Sequence, residues 1–220
     1  AGCGGAVAEA GRHLCWDCLA GLQYIQPPFC ERCGDPVSGR VDHPFTCSLC
    51  TARESAFDLA RSAVRFEGAA AEAIRNLKYN RHLWVVPDLA ALLEAAVRTH
   101  CPDLPFDVVS WVPLHFARRR QRGFNQSAEL ARDLAHRLGL PAAATARRDR
   151  PTPTQTRLTV EGRADNVRDA FRSHGDRRVR GLRVLVVDDV MTTGSTAHAC
   201  AAALKKGGAA RVSVVTVARG

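Results

Sequence analysis

The stretch Arg183-Val184-Leu185-Val186-Val187-Asp188-Asp189-Val190-Met191-Thr192-Thr193-Gly194-Ser195-Thr196 constrains this chain more than any other segment. Arg183–Val187 reads as a strand buried on both faces, the kind that parallel sheets use. It delivers two adjacent carboxylates, Asp188 and Asp189, at its C-terminal edge, where open parallel sheets receive ligands. Thr192, Thr193, Ser195 and Thr196 then supply hydroxyl groups around Gly194. Gly194 permits close backbone approach, and a helix starting at Ser195 aims free N–H groups at an anion. Such a turn accommodates a phosphate, with the vicinal hydroxyls of a sugar bonded to the two acids. A P-loop nucleotide site is disfavoured, because no Gly-x-x-x-x-Gly-Lys-Ser/Thr run occurs.

The chain around this motif alternates in kind. Strands are expected at Leu59–Phe66, Asp107–Val112, Arg183–Val187 and Arg211–Val217. Helices are expected at Ala69–Tyr79, Pro87–Thr99, Asn125–Leu138 ending at Gly139, and Ser195–Lys206 stopped by Gly207-Gly208. Strands alternating with helices imply an α/β fold on a parallel sheet. The Asp188–Thr196 segment resembles the phosphoribosyl-diphosphate (PRPP) signature of type I phosphoribosyltransferases: apolar residues, two acids, then a Thr-Thr-Gly-x-Thr loop. The resemblance implies the type I phosphoribosyltransferase fold, a parallel sheet flanked by helices. It also implies that Thr192, Thr193, Gly194, Ser195 and Thr196 hold the 5-phosphate, while Asp188 and Asp189 hold the ribose 2- and 3-hydroxyls.

The first 50 residues are different in composition. Seven of the nine cysteines lie there, as Cys3, Cys15-x-x-Cys18, Cys30-x-x-Cys33 and Cys47-x-x-Cys50. So short a segment buries little core and needs another source of stability. A Cys-x-x-Cys turn lets two thiolates reach one metal at about 2.3 Å, and a second turn completes the tetrahedron. Cys30, Cys33, Cys47 and Cys50 form a complete set for structural Zn²⁺. Cys3, Cys15 and Cys18 form an incomplete one. A cysteine just upstream of Ala1 is expected to complete it; failing that, His13 is the fourth ligand. Spacing favours two consecutive ribbons without excluding interleaved pairing. Disulfides and a redox pair are the weaker readings for a chain with no secretory signal and no βαβ context at these cysteines. The chain thus divides into a zinc-ribbon domain at 1–55 and a phosphoribosyltransferase-like domain at 56–220.

Two basic clusters complete the picture. The segment from Val112 to Gln126 follows a strand, precedes a helix, and carries Arg118, Arg119, Arg120 and Arg122 beside His115, Phe116 and Phe124. Four guanidinium groups so close repel unless an anion or solvent screens them. The pyrophosphate of PRPP is one such anion; a nucleic-acid backbone is another, with Phe116 and Phe124 as stacking groups; a solvated basic turn is the third reading. The second cluster runs from Arg147 through Gln155-Thr156-Arg157-Leu158 to Arg163 and Asn166-Val167, and its prolines suggest a long mobile loop that serves as a lid. Lys78, in Leu77-Lys78-Tyr79, is a further candidate phosphate contact, or a surface lysine. The formal charge of +9 and pI near 9.5 fit an anionic partner. No apolar run approaches the roughly 20 residues of a membrane span, and no signal peptide is visible, so a cytoplasmic setting is expected.

Taken together, the paired cysteines, Arg65-Phe66-Glu67-Gly68, Leu77-Lys78-Tyr79, Val112-Pro113-Leu114-His115, Arg122-Gly123-Phe124-Asn125-Gln126, Gln155-Thr156-Arg157-Leu158 and the Asp188–Thr196 loop resemble the ComF/ComFC family of competence-associated proteins. The resemblance implies PRPP binding and a role in natural transformation. There the protein handles incoming single-stranded DNA beside a helicase-like competence partner. It leaves open whether PRPP is turned over. As an enzyme, the chain would transfer ribose 5-phosphate from PRPP to an unidentified nucleophile. In that case Mg²⁺ would bridge pyrophosphate and ribose, Asp188 and Asp189 would be catalytic, and Arg118, Arg119 and Lys78 would offset pyrophosphate charge. As a binding module, it would hold DNA on its arginines with PRPP as effector.

Overall fold

Valine-rich strands whose side chains alternate between two cores build the centre of the molecule. The structure is a computed structural model that describes residues 3, 12–37, 39, 41–150, 170–174 and 179–220. Strand β5 (Arg183–Met191) lies between β6 (Arg211–Arg219) and β2 (Val108–Trp111), and β1 (Leu59–Arg65) pairs with the far side of β6. All these pairings are parallel, in the order β1-β6-β5-β2. The period-two pleat sorts the side chains. Leu185, Val187, Val215 and Val217 meet one core, formed with helices α3 (Gly68–Asn80), α4 (Val86–His100) and α6 (Gln126–Leu138). Val184, Val186, Val212 and Val214 meet the other, formed with α7 (Ser195–Lys206) and the antiparallel pair β3 (Ala146–Arg148) and β4 (Phe171–Ser173). Leu89 and Leu93 on α4 and Leu130 and Leu134 on α6 recur one turn apart and are fully buried, as an amphipathic helix against a sheet requires. This is the type I phosphoribosyltransferase architecture, a parallel sheet flanked by helices.

Three segments differ from the sequence expectation. Strand β5 runs on to Met191, so both acids lie inside the strand and not beyond it: Asp188, Val190 and Met191 are in register with Thr216, Ala218 and Arg219. The basic segment after Pro113 is not a loop but helix α5 (Phe116–Arg122). Arginine is a good helix former, the His115 ring accepts a hydrogen bond from the Ala117 N–H at 3.4 Å, and Gly123 ends the helix. In the second basic cluster, Arg147 and Arg148 belong to β3 and not to a loop. The remainder of that expected lid, including Gln155–Leu158, Arg163, Asn166 and Val167, lies outside the described residues.

The cysteine-rich head docks on the open edge of β1. Two short helices, α1 (Trp16–Ala20) and α2 (Ser48–Ala52), each follow a cysteine, Cys15 and Cys47. Between them the chain runs along β1. Tyr24 bridges Val64 antiparallel, the Ile25 N–H donates to Ala63 O (3.0 Å), and the Arg65 N–H donates to Gln23 O (2.9 Å). Further along, the Ala60 N–H donates to Arg32 O (2.7 Å). An uncovered edge strand offers a template for aggregation, and the head removes it here. Gly34 is the closest point of approach: its φ is +67°, and a Cβ there would stand 2.7 Å from Ala60 O. Replacing Gly34 with Ala should therefore lift the head from β1 and cost about 1–3 kcal/mol, read as a lower urea midpoint; an unchanged midpoint would show that this contact is dispensable.

Candidate functional site

The cysteines gather into two groups of metal-ligand geometry. Cys30, Cys33, Cys47 and Cys50 present their sulfur atoms within 4.8 Å of one another, and so do Cys3, Cys15 and Cys18. The grouping is consecutive along the chain, not interleaved. The Cys33 and Cys47 N–H groups point at Cys30 Sγ (3.5 and 3.4 Å). Burial pushes the Cys30 thiol up, but the backbone N–H groups of Cys33, Cys47 and Arg32 outweigh it and bring the thiol down to about 7. Those N–H groups favour the thiolate at Cys30, whereas burial raises Cys33 and pushes Cys50 up to about 11; the four cysteine donors suit structural zinc. His13 does not join the first group. Its backbone N–H donates to Asp88 Oδ2 (2.9 Å), its Nδ1 lies 3.4 Å from the same oxygen, and its ring packs on Trp84. Asp88 and Trp84 hold the imidazole against α4, which is why its sequence position was a poor guide.

The acid pair occupies the C-terminal part of β5, and the pleat separates its two members. Asp188 lines a concavity together with Thr192, Thr193, Gly194, Ser195, Thr196 and Thr216. Asp189 is 4% exposed and forms an ion pair with Lys78 Nζ at 2.9 Å, brought there by the last turn of α3. Its Oδ2 is buried without a hydrogen-bond partner among the described residues. Asp188 Oδ1 accepts from Ser127 Oγ (2.8 Å) and from the Asp189 N–H (3.0 Å). Burial, and next the charge of Asp189, push the Asp188 carboxyl up to about 7; Ser127, Lys78 and the Asp189 N–H oppose this only in part.

The hydroxyl loop is tightly built. Gly194 has φ +74° and starts α7; a Cβ on it would meet Met191 Cε at 2.8 Å, with the Phe57 ring just behind. Thr193 Oγ1 and Ser195 Oγ lie 2.9 Å apart, turned toward each other in the mouth of the concavity. The first turn of α7 is held from outside by His198, whose Nδ1 accepts from the Ala56 N–H at 3.1 Å.

The Arg122-Gly123-Phe124-Asn125-Gln126 block joins two helices. Gly123 closes α5, and Asn125 caps α6 by accepting from the Ser127 N–H (3.1 Å) while its Nδ2 donates to Val112 O (3.1 Å). Arg122 Nη1 donates to Gln126 Oε1 at 2.6 Å, and its guanidinium lies over the Tyr79 ring at 5.7 Å. Burial lowers the Arg122 pKa against the opposing pull of Asp189. Arg148 on β3 is lowered first by burial and then by Arg118, and is raised by Asp188. Guanidinium groups from α5 and β3 therefore share the field of the acid pair. His115 is buried at the start of α5, Arg118 half-buried and Arg119 exposed. Phe116 is 71% exposed and Tyr79 68% exposed, whereas Phe124 is partly buried and packs against the core. Ser127 and Tyr79 carry no site role in the sequence alone, and Arg122 and Arg148 carry one only as members of the basic clusters. Tyr79 stands beside Lys78. Ser127 carries no sequence signal, since a serine in a first helical turn is commonplace.

A family model described as a phosphoribosyl transferase domain matches residues 122–220, and one described as a double zinc ribbon domain matches residues 1–52. The chain is 34% identical to the DNA utilization protein YhgH of Salmonella typhi over 94% of this chain and 96% of that protein. It is 31% identical to competence protein F of Haemophilus influenzae (99% and 95%) and 26% identical to competence protein ComFC of Bacillus subtilis (97% and 87%).

The raised Asp188 makes a signed prediction for stability. Its folded pKa lies above the ordinary 3.8, so its contribution is fully present below about pH 4 and is lost as pH rises through about 7. Asp188→Asn should abolish that loss, leaving the variant more stable than the parent by up to about 4 kcal/mol above neutrality and equal to it in acid. Urea midpoints of both proteins across this range provide the measurement.

Proposed function

The chain belongs to the ComF/ComFC family, and from that premise we propose that it is a PRPP-binding protein that handles single-stranded DNA during DNA uptake. The observation that carries PRPP binding is Asp188 lining one concavity with the hydroxyl loop, next in the strand to buried Asp189, whose Oδ2 has no hydrogen-bond partner among the described residues. A buried carboxylate oxygen calls for a donor or a cation, and the vicinal hydroxyls of ribose are donors of the right kind. In this reading Thr192, Thr193, Gly194, Ser195 and Thr196 hold the 5-phosphate, and Asp188 and Asp189 hold the ribose. His115, Arg118, Arg119 and Lys78 offset the pyrophosphate. The hard carboxylate oxygens beside the concavity also suit Mg²⁺, which would supply charge neutralisation between pyrophosphate and ribose oxygens.

The DNA part rests on α5. Arg118, Arg119, Arg120 and Arg122 follow the exposed ring of Phe116 along α5, and Arg122 lies over the exposed ring of Tyr79. Cations that meet phosphates, set beside rings on which bases stack, make a sequence-tolerant single-strand surface. Competence and DNA utilization, the words in the relatives' names, fit such a surface. A helicase-like competence protein in the cytoplasm is the partner this role calls for. Among the described residues no helix is long and apolar enough to cross a membrane.

A second reading, transferase turnover, is favoured by the guanidinium groups of Arg122 and Arg148 near the acids. The bond from C1 to pyrophosphate would break, pyrophosphate would leave, and a nucleophile would bond to C1. Asp188 and Asp189 would then stabilise the positive charge developing on the sugar. Pyrophosphate release, assayed with purine, pyrimidine and amine acceptors, distinguishes the two readings.

Calorimetric titration with PRPP and Mg²⁺ should show binding by the parent protein and none by the Asp188→Asn, Asp189→Asn double variant. The same variant should keep its affinity for single-stranded DNA. That affinity should fall steeply with salt, with a slope of about −0.7 per phosphate contact in the logarithmic plot; a flat response would sink the arginine surface.

A further inference from the structure

The guanidinium of Arg219 lies at the very end of β6, yet its partners are in the zinc head. It is 6% exposed. Its Nη2 reaches Cys33 Sγ at 3.8 Å, Nη1 donates to Cys33 O at 3.4 Å, and Nε donates to Asp35 Oδ1 at 3.0 Å. Cys33 is one of the four sulfur donors gathered with Cys30, Cys47 and Cys50. Zinc with four thiolates carries a net charge of about −2. Asp35 balances the guanidinium from a half-exposed position, while Nη2 is directed at Cys33 Sγ, so the buried end of the guanidinium faces the anionic centre that zinc and four thiolates would form. The backbone of the same residue belongs to the site on the other side. Arg219 is in register with Met191 of β5, the Phe66 N–H donates to its carbonyl at 2.7 Å, and the next N–H, of Gly220, donates to Met191 O at 3.0 Å. Met191 in turn fills the space beside Gly194.

We propose that Arg219 is a positioning residue that ties the Cys30/Cys33/Cys47/Cys50 zinc centre to the Met191–Gly194 turn. Its side chain holds the thiolate of Cys33 from outside the coordination sphere, and its backbone holds the strand end from which the hydroxyl loop departs. Partners of this kind govern metal affinity by roughly 10–100-fold. The phosphate loop then inherits its position from a metal bound to the other end of the chain. The idea is independent of which ligand the loop takes.

Chelator competition on the full zinc-loaded chain tests the metal half. Arg219→Gln should release zinc from the four-cysteine centre at 10–100-fold lower chelator strength, while metal at the Cys3/Cys15/Cys18 group stays as in the parent. In Co²⁺-loaded protein the sulfur-to-metal absorption band should move to lower energy, because the thiolate loses a hydrogen bond. Arg219→Lys should restore part of the affinity. Asp35→Asn, which leaves the guanidinium to the thiolate, should keep the metal as tightly as the parent and serves if Arg219→Gln does not fold. Unchanged release and an unmoved band, or loss of metal in Asp35→Asn, overturn the proposal. Hydrogen exchange on the parent tests the tie: stripping the metal should speed exchange at Met191–Gly194, and acceleration confined to residues 30–50 overturns it. Neither measurement uses PRPP, so the proposal and the PRPP reading fail separately.

Discussion

Two carboxylates on consecutive residues of a buried strand repel each other in a medium that screens poorly, and the surroundings of β5 answer that constraint. Adjacent positions on a pleated strand face opposite ways, so Asp188 and Asp189 receive different partners. Lys78 neutralises Asp189 from the end of α3, and Ser127 supports Asp188 from the start of α6. Arg122 and Arg148 add positive potential from α5 and β3. Even so, Asp188 is raised, and one oxygen of Asp189 has no hydrogen-bond partner among the described residues. The site is thus arranged around a shortage of hydrogen-bond donors and positive charge.

The zinc head answers a second constraint with the same economy. About 50 residues rich in Gly, Pro and Cys cannot fold on apolar burial alone, so sulfur donors from separate turns must be joined by a metal. The strand beside them, β1, has an open edge that needs cover. Each need is met by the other: the chain from Gln23 to Arg32 hydrogen-bonds to β1, while Cys30 and Cys33 belong to the same buried cluster as Phe57 and Met191. The head is consequently part of the body that carries the hydroxyl loop.

The basic block shows where reading along one chain stops. The arginines at Arg118–Arg122 were legible as a cluster, and their position after a strand was legible too. That they form a helix was not, since the deciding contacts are a capping imidazole at His115 and the bond from Asn125 to Val112. Nor was it legible that Phe124 turns into the core while Tyr79, from a different helix, takes the place beside Arg122.

By itself the sequence determined the fold class, the strand–acid–glycine loop at Arg183–Thr196, both cysteine groups and most helix ends. These depend on spacing within a few turns of chain: a period of two or 3.6, a turn glycine, a Cys-x-x-Cys step. Only the tertiary structure decided the electrostatics. Ser127 lies 61 residues from Asp188, and Arg219 lies 186 residues from Cys33. No local periodicity reports such pairs, because they arise when strand order and helix packing bring distant segments together. The pleat assigns one acid to the loop and the other to Lys78. It therefore turns two identical letters in the sequence into two chemically different groups.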